Sequence, residues 1–422
     1  MTNAPQWTGE VAVIGLGYIG LPTSAALAMH GVRVKGMDVN PDTVAAVNAG
    51  LAPIVEPDLD VAVAGAVVRG MLSASTDVPQ ADVFMIAVPT PFKGDHEPNL
   101  AYVEAATKSV APKLRGGEVV ILESTSPPGT TRKISQWLAE ARPDLKFPHE
   151  HPENPDVHVA HCPERVLPGR ILVELVENDR VVGGLSSSCA ERAAEVYRVF
   201  CKGEIVLTDA ASAEMAKLVE NSFRDVNIAF ANELAQICEH LELDVWKIIS
   251  LANHHPRVNV LKPGPGVGGH CIAVDPWFIV AAAPEQARLI RRARETNDER
   301  PGEVVAKVRS MTASNDKPLA LLGLAFKADI DDLRESPAVE IAVKLAAAEP
   351  DRRLLVVEPH VDFLPRQLAA LPNVELTALG TALTEADVVA LLVDHRRFRE
   401  VPVQALAGKS VLDTRGIWRE RV

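Results

Sequence analysis

The chain has 422 residues, a net charge of −13 and five scattered cysteines without a CxxC pair. Its length predicts two or three domains, while the acidic balance argues against general nucleic-acid binding and the apolar runs are too short for a membrane span. The cysteine pattern argues against a disulfide framework and structural zinc, so we expect no metal; the N-terminus lacks a secretory pattern, which predicts a protein of the reducing cytoplasm.

The N-terminal region has the pattern of a dinucleotide-binding fold. A strand predicted over residues 11–14 runs into the sequence GLGYIG at 15–20, a helix follows to residue 30, and a second strand over 32–37 ends at Asp38. The glycines let the backbone turn tightly and approach a pyrophosphate, which the helix N-terminus attracts. Asp38 can accept hydrogen bonds from ribose hydroxyls and would repel a 2′-phosphate, so the pattern favours NAD over NADP.

Two further strands are predicted over residues 83–88 and 119–122, and polar residues follow each of them. Ligands of doubly wound sheets bind beyond the carboxyl ends of the strands. We therefore expect Thr90 and Thr125 near the cofactor, although a simple helix-capping role is an equal alternative for Thr90.

The middle of the chain is predicted to be helical from residue 211 to about residue 252, because it lacks proline and glycine. Lys217, Asn221 and Arg224 share one face of that helix. This polar stripe either faces a pocket, which its apolar neighbours favour, or forms a solvated surface.

Two other patterns occur in the helical region. Four apolar residues at 3-4-3 spacing are typical of paired long helices, either within the chain or, as we slightly favour, in a dimer: Ala231, Leu234, Cys238 and Leu241. A basic cluster is expected to be a solvated helix face: Arg288, Arg291, Arg292 and Arg294.

The C-terminal third has the pattern of a second, smaller α/β unit without a G-x-G-x-x-G turn. The Ser-Pro pair at 336–337 predicts the start of a helix. Lys327 and Arg334 suit phosphate recognition, and a surface ion pair of Arg334 with Asp331 or Glu335 is the alternative. The strands are predicted over residues 319–322, 354–357, 388–393 and 411–412.

The sequence GPGVGGHCIAVD at residues 264–275 is the most informative stretch of the chain. Four glycines surround one thiol, Cys271, and the carboxylate of Asp275 follows four residues later. Glycine lets the backbone pass close to a ligand, so a substrate could approach this cysteine. Cys271 is therefore a candidate nucleophile, with a small buried apolar role as the alternative.

Taken together, these motifs resemble the UDP-glucose/GDP-mannose dehydrogenase family, in order and along nearly the whole chain. The matching sequences are GLGYIGLP at 15–22, AVPTP at 87–91, EST at 123–125, CPER at 162–165, ENSFR at 220–224, GGHC at 268–271, and FK with RESP between 326 and 337. The resemblance implies an α/β fold with two Rossmann-like parallel-sheet domains joined by a central helical dimerisation region. The implied divisions are an NAD-binding domain (1–208), a helical domain with the catalytic loop (209–314) and a UDP-sugar-binding domain (315–422).

The family resemblance implies a four-electron oxidation of a nucleotide sugar at C6 to a uronate, with NAD as cofactor, for surface polysaccharide synthesis. PFKGDHEP at 91–98 and FRDVN at 223–227 point to the branch that oxidises UDP-N-acetyl-D-mannosamine. The UDP-glucose branch usually has Ser at the position of His270 and Lys at that of Val274. UDP-N-acetylglucosamine, UDP-glucose and GDP-mannose remain alternatives. Outside the family, the alternatives are a two-electron hydroxyacid dehydrogenase and a non-catalytic NAD-sensing dimer.

The same resemblance implies roles for individual residues. Cys271 would be the nucleophile, and Lys217 the acid/base that steadies the oxyanion with the support of Asn221. A neighbouring ammonium would favour the thiolate, which is the attacking form. The residues implied to handle protons and the hydrolytic water are Glu164, Thr125 and Asp275.

The resemblance also implies the binding residues. NAD would be contacted by Gly15, Gly17, Tyr18, Ile19, Gly20, Asp38, Thr90, Thr131 and Arg334. The nucleotide sugar would be held by Arg165, Val166, Lys217, Asn221, Arg224, His255, Arg257, Gly268, Phe326 and Lys327. In this family the residue matching Arg257 can reach the site of another subunit, which implies a functional homodimer or a higher homo-oligomer.

Overall fold

The computed structural model describes residues 9–94, 96–167, 169–269, 271–312 and 316–418. Some predictions lie outside the described residues. They concern the N-terminal segment before residue 9, Asp95 and His270 in their motifs, and the domain boundary at Asn315. The chain forms two compact units, Met1–Val219 and Glu220–Val422. The predicted division into three domains stays a prediction.

The first unit contains an eight-stranded sheet within the described residues, in the order β10-β9-β8-β7-β4-β1-β2-β3, and a separate β5-β6 hairpin. Its strands are β1 (Glu10–Ile14), β2 (Arg33–Met37), β3 (Leu72–Ser75), β4 (Val83–Ile86), β5 (Phe92–Lys93), β6 (Glu97–Pro98), β7 (Val119–Leu122), β8 (His158–His161), β9 (Arg180–Gly184) and β10 (Ile205–Asp209). Within the eight-stranded sheet, neighbouring strands run parallel except β8 and β9, which pair antiparallel, as do β5 and β6 in the hairpin. The sheet is therefore mixed, with β9 and β10 reversed, where a parallel sheet was predicted.

Helices cover both faces of this sheet, so its central strands are buried on both sides and read as continuous apolar runs. Val11 and Val13 contribute to one core, and Ala12 and Ile14 to the other. The helices that begin in this unit are α1 (Gly20–Met29), α2 (Pro41–Asn48), α3 (Leu59–Val68), α4 (Ala101–Val110), α5 (Thr130–Ala141), α6 (Ile171–Glu177), α7 (Ser187–Tyr197) and α8 (Ala210–His240), which continues into the second unit.

The strand order fixes the functional edge of the first sheet. Strand β1 lies between β4 and β2, so successive crossovers leave it in opposite directions at this point. Open α/β sheets bind ligands in the crevice at the carboxyl ends of the strands where the order reverses. The turns after β1, β2, β4, β7 and β8 therefore share the edge at which a dinucleotide is expected.

The second unit combines helices with a five-stranded, wholly parallel sheet in the order β13-β12-β11-β14-β15 within the described residues. Its strands are β11 (Leu319–Leu322), β12 (Leu354–Val357), β13 (Val374–Leu376), β14 (Val388–Leu391) and β15 (Ser410–Asp413). Its helices are α9 (Val245–Ala252), α10 (Asp275–Ala282), α11 (Arg288–Thr312), α12 (Pro337–Ala348), α13 (Arg366–Ala369), α14 (Leu379–Glu385) and α15 (Arg396–Arg399). Ser336 caps α12 by accepting from the N–H of Ala338, which confirms the predicted helix start.

The predicted single helix over residues 211–252 is wrong at its C-terminal end. Helix α8 ends at His240, Glu242 takes a left-handed φ of 56°, and Asp244 starts α9 by accepting from the N–H groups of Trp246 and Lys247. A side chain that caps the backbone favours a new helix start over continuation. Among the described residues, no helix combines the length and apolarity that a membrane crossing requires.

Candidate active site

The turn between β1 and α1 has the geometry that its glycines predict. Gly15 has a φ of +97°, and a Cβ on it would lie 2.6 Å from the carbonyl oxygen of Ala87. A Cβ on Gly20 would overlap the carbonyl oxygen of Gly15. Around Gly17, no atom of the described residues lies within 4 Å of such a Cβ. Packing therefore requires the first and third glycines, whereas the second leaves its backbone open to a ligand.

Asp38 follows β2 beside this turn. Its carboxylate accepts from the N–H of Leu16 and of Asn40, both at 2.9 Å. Tyr18 is exposed and Ile19 is half-buried at the N-terminus of α1. A backbone open at a helix N-terminus suits a pyrophosphate, and a fixed carboxylate at the end of β2 suits a ribose, so these residues fit NAD.

Thr90 and Thr125 lie together at the edge of the first sheet. The hydroxyl of Thr90 donates to the carbonyl oxygen of Thr125 at 2.6 Å, and the hydroxyl of Ser124 donates to that of Val88 at 2.6 Å. These bonds tie the turn after β4 to the turn after β7. The helix-capping alternative for Thr90 is wrong, because the next helix begins only at Ala101.

Thr131 is fully buried at the start of α5. Its N–H and its hydroxyl donate to the carboxylate of Glu214 at 2.7 and 2.6 Å, and the N–H of Gly129 donates to it at 2.5 Å. Burial raises the pKa of Glu214, and the three hydrogen bonds oppose that rise. Because Glu214 takes up both polar groups of Thr131, we expect Thr131 to fix the loop before α5; its contact with NAD stays a prediction.

Glu164 lies just beyond the end of β8 and is 7% exposed. Its Oε1 accepts from the N–H of Arg165 at 2.6 Å, and its Oε2 lies 3.9 Å from the guanidinium of Arg180. Arg165 and Val166 are half-buried beside it. The structure thus gives the predicted proton-handling carboxylate a buried cationic neighbour.

The polar stripe of α8 becomes more exposed along the chain. Lys217 is 9% exposed, Asn221 is half-buried, and Arg224 is exposed. Its first part is therefore not a solvated surface. Lys217 belongs to the first unit and Asn221 to the second, and the predicted pairing of Lys217 with Cys271 stays a prediction.

Cys271 is exposed at the entrance to α10, so its alternative role as a buried apolar residue is wrong. Its carbonyl oxygen accepts from the N–H of Asp275 at 2.9 Å. The side chain of Asp275 is buried and accepts from the amide of Asn221 at 2.6 Å. One short turn thus joins Cys271 to Asp275, and one side-chain hydrogen bond joins Asp275 to Asn221. All three are predicted catalytic residues of the second unit.

The other four cysteines are less accessible. Cys162, Cys189 and Cys238 are buried, and Cys201 is half-buried. Burial raises the pKa of Cys162 to about 11. A nucleophile must be reachable and able to form a thiolate, which favours Cys271 among the five.

We call the glycine-rich segment 264–275 the catalytic loop, after the role predicted for Cys271. Two side chains that were not predicted from the sequence hold its start. The amide oxygen of Asn232 accepts from the N–H of Gly264 at 2.9 Å, and Nε of Arg300 donates to the carbonyl oxygen of Gly264 at 3.1 Å. Asn232 is fully buried. The sequence did contain a signal for Asn232. Asp225 and Asn232 lie two helical turns apart on a face that an ordinary amphipathic helix keeps apolar.

The catalytic loop also packs on the segment that follows β11. A Cβ on Gly268 would lie 2.5 Å from the carbonyl oxygen of Glu335 and 3.0 Å from Cβ of Phe326, and one on Gly269 would lie 3.2 Å from the ring of Phe326. Gly268 and Phe326, both predicted to hold the nucleotide sugar, are therefore neighbours. Lys327, the next residue, is exposed.

Arg334 forms a two-pronged ion pair with Asp332, at 2.8 and 2.5 Å. The predicted partners Asp331 and Glu335 are wrong, because Asp332 lies on the same turn and its Oδ1 also accepts from the N–H of Arg334. The contact of Arg334 with NAD stays a prediction.

His255 and Arg257 are both exposed after α9. The backbone N–H of Arg257 donates to Nδ1 of His255 at 3.3 Å. Within the second unit, their side chains are therefore accessible, and their predicted contacts with the nucleotide sugar stay predictions.

The basic cluster is not wholly a solvated face. Arg292 is exposed and pairs with Glu295 and Glu299, as expected. Arg294 is fully buried and pairs with the buried Asp225, so its prediction was wrong. A guanidinium without exposure requires such a partner.

One group of potential metal ligands lies in the second unit, where Asp329, His360 and His395 bring their ligand atoms within 4.8 Å of one another. Nδ1 of His395 accepts from the N–H of Asp329 at 2.9 Å, and its Nε2 donates to Glu358 at 3.1 Å. Both ring nitrogens of the buried histidine are thus engaged within the protein. We therefore assign this group of side chains a structural role.

Comparison with known proteins covers almost the full chain. Residues 9–201 match the NAD binding domain of the UDP-glucose/GDP-mannose dehydrogenase family, residues 211–299 its central domain and residues 320–420 its UDP binding domain. The chain belongs to this family. It is therefore an NAD-dependent nucleotide-sugar dehydrogenase, and the two alternatives outside the family no longer apply.

Individual relatives are similar over nearly their whole lengths. The UDP-N-acetyl-D-mannosamine dehydrogenase of Escherichia coli (strain K12) is 55% identical over 97% of this chain and 99% of that protein. The NDP-N-acetyl-D-galactosaminuronic acid dehydrogenase of Ralstonia nicotianae is 55% identical over 97% and 96%. A solved UDP-N-acetyl-mannosamine dehydrogenase from Staphylococcus aureus is 40% identical, with a TM-score of 0.83 over 97% of this chain and 95% of that chain. The predicted family, fold class and cofactor are thereby confirmed.

Proposed function

We propose that this enzyme oxidises UDP-N-acetyl-D-mannosamine at C6 to UDP-N-acetyl-D-mannosaminuronate through a covalent intermediate on Cys271. The exposed thiol of Cys271 at the turn into α10 carries the proposal. The substrate is inferred from relatives named for UDP-N-acetyl-D-mannosamine, which are 54–56% identical to this chain. The product would supply surface polysaccharide synthesis.

The chemistry requires both a nucleophile and an acid/base. NAD, when bound, accepts a hydride in each of the two oxidation steps. Lys217 would take the hydroxyl proton as the alcohol becomes an aldehyde. An aldehyde cannot release a further hydride until a nucleophile adds, so the Cys271 thiolate would form a thiohemiacetal, and Lys217 and Asn221 would stabilise its oxygen.

The second oxidation leaves a thioester on Cys271, which water must hydrolyse. The new C–O bond forms, the C–S bond breaks, the thiolate is regenerated, and the proton of the water passes to a base. We assign this proton to Glu164, with Thr125 and Asp275 placing the water. Because the thiol must stay reduced, the proposal favours a reducing compartment such as the cytoplasm.

We further propose that α8 forms a homodimer interface. Phe223, Phe230 and Ile237 recur every seven residues on this helix and are 71%, 57% and 46% exposed. The predicted 3-4-3 seam is a different face, because Ala231 and Cys238 are buried within the single chain. An exposed apolar stripe of this size favours a protein partner.

The experiment that tests the covalent route counts NADH per uronate and compares Cys271→Ser with a matched Cys201→Ser variant. We expect two NADH per uronate in the wild type and in Cys201→Ser. Cys271→Ser should lose uronate formation by at least about a thousandfold, because the second hydride requires the thiohemiacetal. Undiminished uronate formation by Cys271→Ser would refute the covalent route.

A second candidate substrate is a nucleotide N-acetyl-D-galactosamine sugar, because the Ralstonia relative is as similar as the mannosamine enzymes. A panel of UDP-N-acetylmannosamine, UDP-N-acetylgalactosamine, UDP-N-acetylglucosamine, UDP-glucose and GDP-mannose separates the candidates by kcat/KM. We expect the highest value for UDP-N-acetylmannosamine. A higher value for any other sugar would reassign the substrate and leave the covalent mechanism in place.

A further inference from the structure

A buried ionic cluster lies directly behind Glu164 in the first unit. Arg180 is 5% exposed, and Glu123 and Tyr197 are fully buried. The hydroxyl of Tyr197 donates to Oε1 of Glu123 at 2.8 Å. The guanidinium of Arg180 lies 4.8 Å from the centre of the Tyr197 ring and 3.9 Å from Oε2 of Glu164. Arg180 thus lies beside both Glu164 and the tyrosine that binds Glu123.

Several polar atoms of this cluster lack hydrogen bonds. Within the described residues, Oε2 of Glu123, Oε2 of Glu164 and Nε of Arg180 are buried without a hydrogen-bond partner. Native proteins rarely leave such atoms unpaired, and exceptions call for a functional explanation. Three such atoms in one cluster at the active edge of the sheet indicate a function beyond stability.

The ionisable groups that face Glu123 come from three elements: Cys162 and Glu164 beyond β8, Arg180 on β9 and Tyr197 on α7. Burial, then the charge of Glu164, raises the pKa of Glu123 to about 7, against the opposing effects of Arg180 and Tyr197. Burial also raises the pKa of Cys162 to about 11 and that of Tyr197 well above its ordinary value. Cys162 and Tyr197 therefore keep their protons near neutrality, whereas Glu123 exchanges its own.

We propose that Glu123 is a positioning residue whose charge, behind Glu164, sets the pH dependence of the step in which Glu164 accepts the proton of the hydrolytic water. The inference rests on the proposed role of Glu164. The negative charge of a carboxylate favours a proton in its surroundings, most strongly where water is excluded. A charged Glu123 therefore favours transfer of the proton of the attacking water toward the cluster, and a neutral Glu123 does not.

The test compares the pH dependence of kcat in the wild type, Glu123→Gln and Tyr197→Phe. We expect a rise in kcat with a midpoint near pH 7 in the wild type. Glu123→Gln should lack this step, because glutamine does not ionise. Tyr197→Phe should move the midpoint up by roughly one pH unit, because it removes a donor that favours ionised Glu123. A purely structural role would lower kcat equally at every pH, and an unchanged midpoint in both variants would overturn the proposal.

A second readout needs no substrate and keeps the two hypotheses apart. The infrared absorption of a protonated carboxyl group should titrate near pH 7 in the wild type and be absent from the Glu123→Gln difference spectrum. If the wild type forms no uronate from any sugar, the proposed function fails, while the infrared titration still decides whether Glu123 changes its charge near neutrality. If Glu123→Gln does not fold, the wild-type titration and its shift in Tyr197→Phe remain decisive. A spectrum without a protonated carboxyl between pH 5 and 8 would sink the proposal.

Discussion

Two glycine-rich segments of this enzyme are fixed by different means. In the dinucleotide turn, Gly15 packs on the backbone of Ala87 and Gly20 on that of Gly15, so β1, its own turn and the end of β4 define the geometry. In the catalytic loop, Gly264 is held by the side chains of Asn232 and Arg300, which come from two helices.

The rest of the catalytic loop extends this contrast. Gly266, with a φ of +146°, packs on the side chains of Pro301 and Pro337, and Gly268 packs on Glu335 and Pro337. The dinucleotide turn is thus a local motif, whereas the catalytic loop requires α8, α11 and the segment after β11 together. Changes in the turn should therefore act on NAD binding, and changes around the loop should act on the covalent steps.

The largest effect is expected for Gly268→Ala. A Cβ there would lie 2.5 Å from the carbonyl oxygen of Glu335, a backbone atom that cannot move aside cheaply. A displacement of about 1 Å at a catalytic position costs on the order of a hundredfold in rate. We expect uronate formation to fall by about that factor, with the Kd for NAD unchanged, as measured by steady-state kinetics and cofactor titration.

Gly302→Ala is the matched control for this variant. Gly302 lies within α11, and no atom of the described residues lies within 4 Å of the added Cβ. Alanine is favoured over glycine in a helix by up to about 1 kcal/mol. The control should keep full activity and an equal or higher Tm. Equal activity in both variants would show that packing against Glu335 does not fix the loop.

A pair of changes in the dinucleotide turn should give the next largest effect. Gly20→Ala places a Cβ on the carbonyl oxygen of Gly15, so we expect both a lower Tm and weaker NAD binding. Gly17→Ala meets open space, so the Tm should stay constant while the Kd for NAD rises about tenfold, because the methyl group blocks the approach of the pyrophosphate. Unchanged NAD affinity in Gly17→Ala would place the cofactor elsewhere.

The difference between the local dinucleotide turn and the catalytic loop also explains which features could be predicted from the sequence. The dinucleotide turn, Asp38 and the helix start at Ser336 were predictable, because each pattern lies within a few residues of the structure it specifies. The pair of Arg294 with Asp225 was not, because its partner lies 69 positions away and helical periodicity does not show it. For Asn232, helical periodicity did offer a signal, but its partner Gly264 lies 32 positions away and could not be inferred from that periodicity.

The direction of the strands also could not be predicted from the sequence. Strands β9 and β10 pair parallel with each other, yet β9 pairs antiparallel with β8. Apolar strand patterns are the same for both orientations, and mixed sheets are common among large α/β proteins. The fold class was therefore predictable from the sequence, whereas the orientation of β9 and β10 was not, and the roles of the site residues stay predictions.

Asn232→Leu tests whether the hydrogen bond between Asn232 and Gly264 fixes the catalytic loop. It should have a smaller effect than the glycine variants. It leaves the buried N–H of Gly264 without its acceptor and removes the donor to Asn297, which costs about 1–3 kcal/mol. We expect kcat to fall about tenfold with slower alkylation of Cys271 at temperatures where the protein stays folded. Asn227→Leu on the same helix is the matched control, since its amide binds only the carbonyl oxygen of Phe223 among the contacts described. A lower Tm with unchanged alkylation of Cys271 in Asn232→Leu would mean that the hydrogen bond between Asn232 and Gly264 only stabilises the fold.

The smallest effect is expected away from both glycine-rich segments, at Glu358 in the second unit. Burial alone would raise the pKa of this carboxyl group, but the hydrogen bond from His395 and the N–H groups of Leu324 and Ala325 outweigh burial and lower it. A lowered pKa stabilises the folded state above the unfolded pKa, and this contribution is lost as pH falls through the folded pKa. Glu358→Gln should therefore reduce the free energy of unfolding by about 1–2 kcal/mol at pH 7 and by progressively less below about pH 4. Denaturant unfolding at a series of pH values measures the difference, which should converge toward zero in acid because the wild-type carboxyl group becomes neutral there. A difference that stays constant with pH would mean that shape and hydrogen bonding, rather than charge, hold the turn after β11.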